Sequence, residues 1–114
     1  MPQTKEISLD DHVIDIRQDV SDVASLILEI AGYAGVKDLV CRDILRRDWA
    51  KIAPELNKSI TQGIHNKGNK ASHVLKGCLA DLEEAGVTQR FGEGRDGYVA
   101  ILDRPALQRI ADLW

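Results

Sequence analysis

The sequence predicts a mainly α-helical fold with one small β-hairpin, and the prediction depends on one stretch in the C-terminal half of the chain. Between residues 70 and 85, apolar residues recur at the spacing of an amphipathic helix: Val74, Leu75, Cys78, Leu79 and Leu82. After Gly86 the spacing changes to the alternation of a strand, and glycines 92, 94 and 97 separate this run from a second one. We therefore expect strands near 87–91 and 98–102, with Gly86 leaving the helix at positive φ.

Three further helices are predicted upstream of this stretch. Each is indicated by apolar residues at helical spacing, and their approximate bounds are 20–33, 37–47 and 54–64. Asp19 is expected to cap the first helix, and Pro54 to stand in the first turn of the third. Residues 65–69 are predicted to form a turn, with Asn69 capping the helix that follows. The third helix and the helix from residue 70 would then form a helix-turn-helix pair.

The two ends of the chain are predicted to differ in how well ordered their structure is. Residues 1–18 are expected to form an N-terminal arm, which is polar and loose over residues 1–11 and has one possible short strand at 12–17, whereas residues 19–114 form a single domain. At the other end, Asp103 caps a last helix that has Pro105 in its first turn.

Apolar surface near both ends of this domain suggests a homodimer. The first helix is apolar on more than one side, and the last helix carries an apolar face: Leu107, Ile110, Ala111 and Trp114. One small core does not easily cover so much apolar surface. We therefore expect a homodimer built from the terminal helices.

Composition excludes several function classes. The chain of 114 residues is 44% apolar and 29% charged, which is ordinary for a globular domain, and it contains no apolar run of membrane-spanning length and no signal-peptide pattern. Its two cysteines, Cys41 and Cys78, are interpreted as reduced thiols in helices of a cytoplasmic protein. A metal site that combines them with His65 and His73 has no recognised ligand spacing. We expect no catalytic residues, no metal and no cofactor.

Charge is unevenly distributed along the chain. The net charge is −3, but residues 1–35 carry −5, residues 36–80 carry +5 and residues 81–114 carry −3. A positive central segment attracts a polyanion to one side of the molecule. Solvated helix faces carry such runs of charge by chance as well. The charge distribution by itself therefore does not decide between a polyanion-binding surface and an ordinary solvated surface.

The helix that runs straight into a hairpin resembles the second half of a winged helix-turn-helix domain. The segment LEEAGVTQR, with Leu82, Gly86 and Val87, is similar to the junction between helix and wing in bacterial winged-helix regulators. The resemblance covers roughly residues 20–102 and is to the superfamily. It implies that the helix enters a groove of double-stranded DNA and that the hairpin is the wing.

The DNA-binding residues that this resemblance implies lie on or beside the outer face of helix 70–85. They are Lys67, Asn69, Lys70, Ser72, His73, Lys76, Gly77 and, at the wing tip, Arg95. The lysines and Ser72 would contact phosphates, while Asn69 and His73 would contact base edges. Gly77 would let the helix approach the groove closely, and Arg95 would reach into a minor groove.

Two questions stay open at the level of the sequence: what the arginines of the second helix contact, and what the whole domain does. Arg42, Arg46 and Arg47 form a basic stripe that would contact phosphates or would pair with neighbours such as Asp38 and Asp43. The whole domain would be a transcription regulator or replication accessory factor of a bacterium or phage, or else a protein-interaction module in a larger assembly. DNA binding requires a continuous positive face from the lysines to the wing, whereas the interaction module predicts an exposed apolar patch elsewhere.

Overall fold

A computed structural model describes residues 4–9, 12–34, 36–52 and 67–114. Side chains are described for all of these except residues 67–71 and 95. The elements are β1 Thr4–Leu9, β2 His12–Arg17, α1 Gln18–Tyr33, β3 Leu39–Cys41, α2 Arg42–Ile52, α3 Lys67–Glu84, β4 Thr88–Phe91, β5 Tyr98–Ile101 and α4 Arg104–Ala111. This part of the chain is mixed α/β, with four helices and five strands, and is therefore richer in strands than predicted.

The strands form two small antiparallel sheets. β1 and β2 pair with each other, from Leu9 opposite His12 to Thr4 opposite Arg17. In the second sheet β5 lies between β3 and β4. The predicted hairpin is confirmed as β4 and β5, and its turn includes a short 3-10 helix at Gly94–Asp96. β3, which the sequence did not predict, extends this hairpin by pairing Val40 with Val99.

The prediction of a loose N-terminal arm is wrong for residues 4–9. Ile7 and Leu9 of β1 are buried in the same core as Ile16 of β2 and Val20 of α1. Ile14 of β2 packs against the edge of that core. Apolar residues alternate over only a few positions in each strand, so the sequence pattern that indicates each strand is weak. The strands become stable only when they pair with each other and pack against the core. β2 then runs directly into α1, so Arg17 occupies the N-cap position and Asp19, the predicted cap, lies inside the first turn.

Residues 37–47 were predicted to be one helix, and the structure divides them. Lys37 adopts a left-handed backbone with φ 58°, and Val36 and Leu39 form a tight bridge around it. The chain then follows β3 before α2 begins at Arg42. Val40 is buried, as a helical inner face would also require, so burial at this position does not separate helix from strand. Cys41 consequently lies in a strand and not in a helix.

The predicted third helix at 54–64 lies outside the described residues, as do the first two residues of the predicted turn. The rest of that turn is wrong, because α3 begins at Lys67 and includes Asn69, which is therefore not its N-cap. Gly68 and Asn69 permit a turn but do not enforce one, since helix propensity is a weak preference that tertiary context overrides.

The end of α3 is predicted correctly. Gly86 has φ 79°, and its N–H donates to the carbonyl of Glu83 at 2.9 Å. The N–H of Val87 donates to the carbonyl of Leu82 at 3.1 Å. These two bonds are those of a Schellman motif, which satisfies carbonyls at the helix end and turns the chain into β4.

α4 is capped as predicted and closes the core. The Asp103 carboxylate accepts from the N–H of Ala106 at 3.1 Å, and Pro105 lies in the first turn. Leu107 and Ile110 are fully buried, and α4 packs against α1. The apolar surface that suggested a homodimer is thus covered within the chain itself, and dimerisation stays a prediction without that support.

Candidate nucleic-acid interface

The outer face of α3 is open to solvent along its central turns. Leu75, Cys78, Leu79 and Leu82 are buried, so the helix is oriented with the opposite face outward. His73, Lys76, Gly77 and Ala80 are exposed there, and Ser72 is half-buried at the margin. A Cβ added at Gly77 meets no atom within 4 Å. The structure therefore brings together four of the eight predicted site residues: Ser72, His73, Lys76 and Gly77.

The other four predicted site residues are placed only by their backbones. Lys67, Asn69 and Lys70 lie in the first turn of α3, and Arg95 lies in the 3-10 helix of the turn between β4 and β5, residues 92–97, which is called the wing turn below after its predicted role. Their side chains lie outside what the structure describes, so their roles stay predictions.

The β4–β5 hairpin, which is the predicted wing, is attached to the end of α3 by an ion pair. The Glu83 carboxylate accepts from the backbone N–H of Arg90 at 2.7 Å, from its Nη2 at 2.8 Å and from its Nε at 3.2 Å. Both side chains are only about a quarter exposed, at 27% for Glu83 and 28% for Arg90. These hydrogen bonds from Arg90 lower the pKa of Glu83. Charge-assisted bonds of this kind hold β4 at a defined angle to α3.

Arg42, the first residue of α2, connects α2 to the wing turn. Its backbone N–H donates to the carbonyl of Gly97 at 3.0 Å, and its Nη1 donates to the carbonyl of Gly92 at 3.3 Å. A Cβ at Gly97 would lie 2.8 Å from the Cδ of Arg42, so a larger residue there would force the Arg42 side chain to shift. Both ends of the wing turn are thereby held against the start of α2.

α2, α3 and the wing turn enclose a groove of about 460 Å³, here called the α2–α3 groove. Among the described residues, its polar lining comes from Arg42, Asp43, Arg46, Ser72 and Lys76, and Gly94 also lines it. The buried residues Leu45, Leu75 and Leu79 form its apolar floor. The three cations and one carboxylate in this described lining give a net charge of +2.

The ion pairs around the groove differ from those that the sequence suggested. Asp43 pairs with Arg46 at 2.8 Å and with Arg47 at 3.0 Å, as expected for one helix. Asp38 instead pairs with Arg104 at 2.7 Å. Among the described residues, Lys76 has no carboxylate partner. Arg42 and Arg46 were not among the predicted site residues, although the basic stripe on α2 had already signalled them.

The two cysteines lie in different environments. Cys78 is fully buried, and burial raises the pKa of its thiol well above the ordinary value. Cys41 is half-buried on β3, and both thiols are free. Within the described ranges, no group of three or more histidine, cysteine, aspartate or glutamate side chains is arranged to hold a metal ion.

Comparison with known proteins does not add to this description. No family model, no curated protein and no solved structure matches the chain. Of the helices in the described part of the chain, none is both long enough and apolar enough to span a membrane. The function is therefore inferred from the geometry of this molecule.

Proposed function

We propose that this protein binds double-stranded DNA as a winged-helix domain, with the outer face of α3 in the groove and the β4–β5 hairpin as the wing. It would serve a bacterium or phage as a transcription regulator or replication accessory factor. The observation that carries the proposal is the exposed face of α3, where small and polar residues stand beside the +2 lining of the α2–α3 groove.

The surrounding elements support this proposal. β4 follows α3 through the Schellman turn, and β5 pairs both with β4 and with β3, which lies between α1 and α2. A helix held rigidly against a wing is what groove binding requires, because both must contact the duplex at once. The Glu83–Arg90 and Arg42–Gly92 bonds supply that rigidity.

The direct test is binding of a fluorescent random-sequence duplex, measured by anisotropy at several salt concentrations. We expect the parent to bind at low salt, and Lys76→Glu to weaken binding and lower the salt slope by about one unit. Arg109→Glu is the matched control, because Arg109 is exposed on α4, which packs against α1 and β1. Equal binding by the parent and the Lys76 variant would remove α3 from the interface.

Gly77→Leu is expected to change stability and DNA binding in opposite directions. Nothing lies within 4 Å of the added Cβ, and leucine is a better helix former than glycine by roughly 0.5–1 kcal/mol. Thermal melts should therefore show a small gain in stability. The leucine side chain would hold α3 away from the groove, so the affinity for duplex should fall by about tenfold or more, as a clash of about 1.4 kcal/mol would produce. A variant that binds as tightly as the parent would show that α3 does not approach DNA closely at this position.

One observation favours the alternative, a protein-interaction module. Paired residues share a face of a sheet, and the face of the β3–β5–β4 sheet that carries Leu39, Tyr98 and Phe91 is exposed. Phe91 and Tyr98 stand opposite each other and are 49% and 48% exposed. Val36 and Leu102 are exposed in the segments that flank this sheet.

Such a patch is typical of a surface that another protein covers. The alternative predicts that Phe91→Ser abolishes association with a protein partner, whereas Lys76→Glu leaves that association unchanged. DNA binding predicts that Lys76→Glu is the damaging change, so the two variants together separate the candidates.

A further inference from the structure

We propose that the α2–α3 groove binds a phosphate group, with Arg46, Lys76 and the Ser72 hydroxyl as its ligands, and with Arg42 lining the groove beside them. This inference deepens the proposed function, since the phosphate of a duplex backbone is one source of such a group. The sequence prediction assigned phosphate contacts to the lysines of α3 and to Ser72, and it left phosphate contacts by the arginines of α2 as an open alternative. The structure places two of these arginines, Arg42 and Arg46, in the same concavity as Lys76.

The chemistry of the lining selects an oxyanion. Arginine presents up to five N–H donors and no acceptor, lysine presents three donors, and a serine hydroxyl donates one hydrogen bond. Arg42 uses one guanidinium donor on the carbonyl of Gly92, so others are left for a ligand. The apolar floor excludes water from one side of the bound group and so strengthens charge-assisted bonds.

Among the described residues, the carboxylates Asp43 and Glu83 lie near these cations, and each has an arginine partner. Asp43 bridges Arg46 and Arg47, which holds Arg46 in place while leaving part of its guanidinium free. Glu83, which also feels the charge of Arg42, accepts three hydrogen bonds from Arg90. The positive charge of the lining is therefore only partly neutralised by carboxylates. A monoanionic or dianionic phosphate would neutralise the remainder in part or in full.

The position of Arg42 gives this groove a link to the wing. The same guanidinium lines the groove and donates to the wing turn at Gly92. A phosphate in the groove would therefore order Arg42 and the wing turn together. For this reason Arg42 is an unsuitable position for a substitution, because the loss of its side chain would disturb the wing as well as the groove.

The groove is tested first without DNA. In ¹H–¹⁵N spectra of the full chain, the side-chain Nε–H signals of Arg42 and Arg46 should shift and saturate as inorganic phosphate is added. Sodium chloride at equal ionic strength should not shift them. The Nε–H signal of Arg109 on α4 is the internal control and should not respond to either. If the groove signals respond no more than Arg109 does, the proposal is overturned, whether or not the protein binds duplex through α3.

The second arm identifies the source of the phosphate group. Arg46→Gln and Arg109→Gln each remove one positive charge from an exposed position, so both should fold, which thermal melts will check. We expect Arg46→Gln to lower the salt slope of duplex binding by about one unit and the affinity at 50 mM salt by about tenfold, while Arg109→Gln does neither. If inorganic phosphate binds but Arg46→Gln leaves duplex binding unchanged, the group comes from a free phosphate compound and the backbone source is overturned. If the parent binds no duplex at all, the proposed function fails, and the phosphate titration still decides the groove.

Discussion

Ile16→Ala is expected to lower the free energy of unfolding by about 2–5 kcal/mol. Ile16 is on β2, is 3% exposed and belongs to the same buried core as Ile7 and Val20. Truncation removes apolar contacts and leaves a void between the N-terminal hairpin and α1, which the surrounding side chains fill only in part. Urea unfolding followed by far-UV circular dichroism measures the difference.

Val13→Ala on the same strand is the matched control. Val13 is 65% exposed, so its truncation should change the free energy of unfolding by less than about 1 kcal/mol. Similar small effects of both substitutions would mean that the hairpin is a dispensable arm, as the sequence had suggested. A large effect at Ile16 alone would show that residues 4–17 are part of the folding unit.

Glu83→Ala is expected to lower the free energy of unfolding by about 1.5–3 kcal/mol, because it removes charge-assisted hydrogen bonds to a largely buried arginine. Arg90 would be left without its carboxylate, and the wing would lose its attachment to α3. Glu84→Ala is the control, since Glu84 is exposed on the same turn of helix and should cost about 0.5 kcal/mol or less. Equal effects at the two positions would show that the Glu83–Arg90 pair contributes nothing specific.

The pH dependence of this effect has a defined sign. The folded-state pKa of Glu83 lies below its ordinary value of 4.5, so the charged form is the one that folding stabilises. The contribution is fully present above pH 4.5 and is lost as the pH falls through the folded-state pKa. The stability difference between the parent and Glu83→Gln should therefore be constant near neutrality and shrink below pH 4.5. A difference that grows on acidification would contradict the assigned charge state.

Local patterns were enough to predict the elements from residue 72 to the C-terminus. The buried stripe of α3, the positive φ of Gly86, the two strands of the hairpin and the Asp103 cap all follow from interactions within a few residues. The exposure of His73, Lys76 and Gly77 follows too, because a helix with one apolar face can be buried in only one orientation. For this reason the sequence alone was enough to place these three of the eight predicted site residues on an exposed face.

Only the tertiary structure decided the N-terminal hairpin, β3 and the α2–α3 groove. Three-residue β3 is stable because β5, almost sixty residues away, supplies its hydrogen-bond partners, and no local pattern contains that information. The groove likewise joins arginines of α2 to Ser72 and Lys76 of α3 across a long separation in sequence. The apolar surface of α1 and α4 could be predicted from the sequence. Whether a second subunit or the chain itself covers that surface depends on tertiary packing. The sequence by itself determined which faces are apolar and where the chain turns, whereas long-range pairing decided what those faces contact.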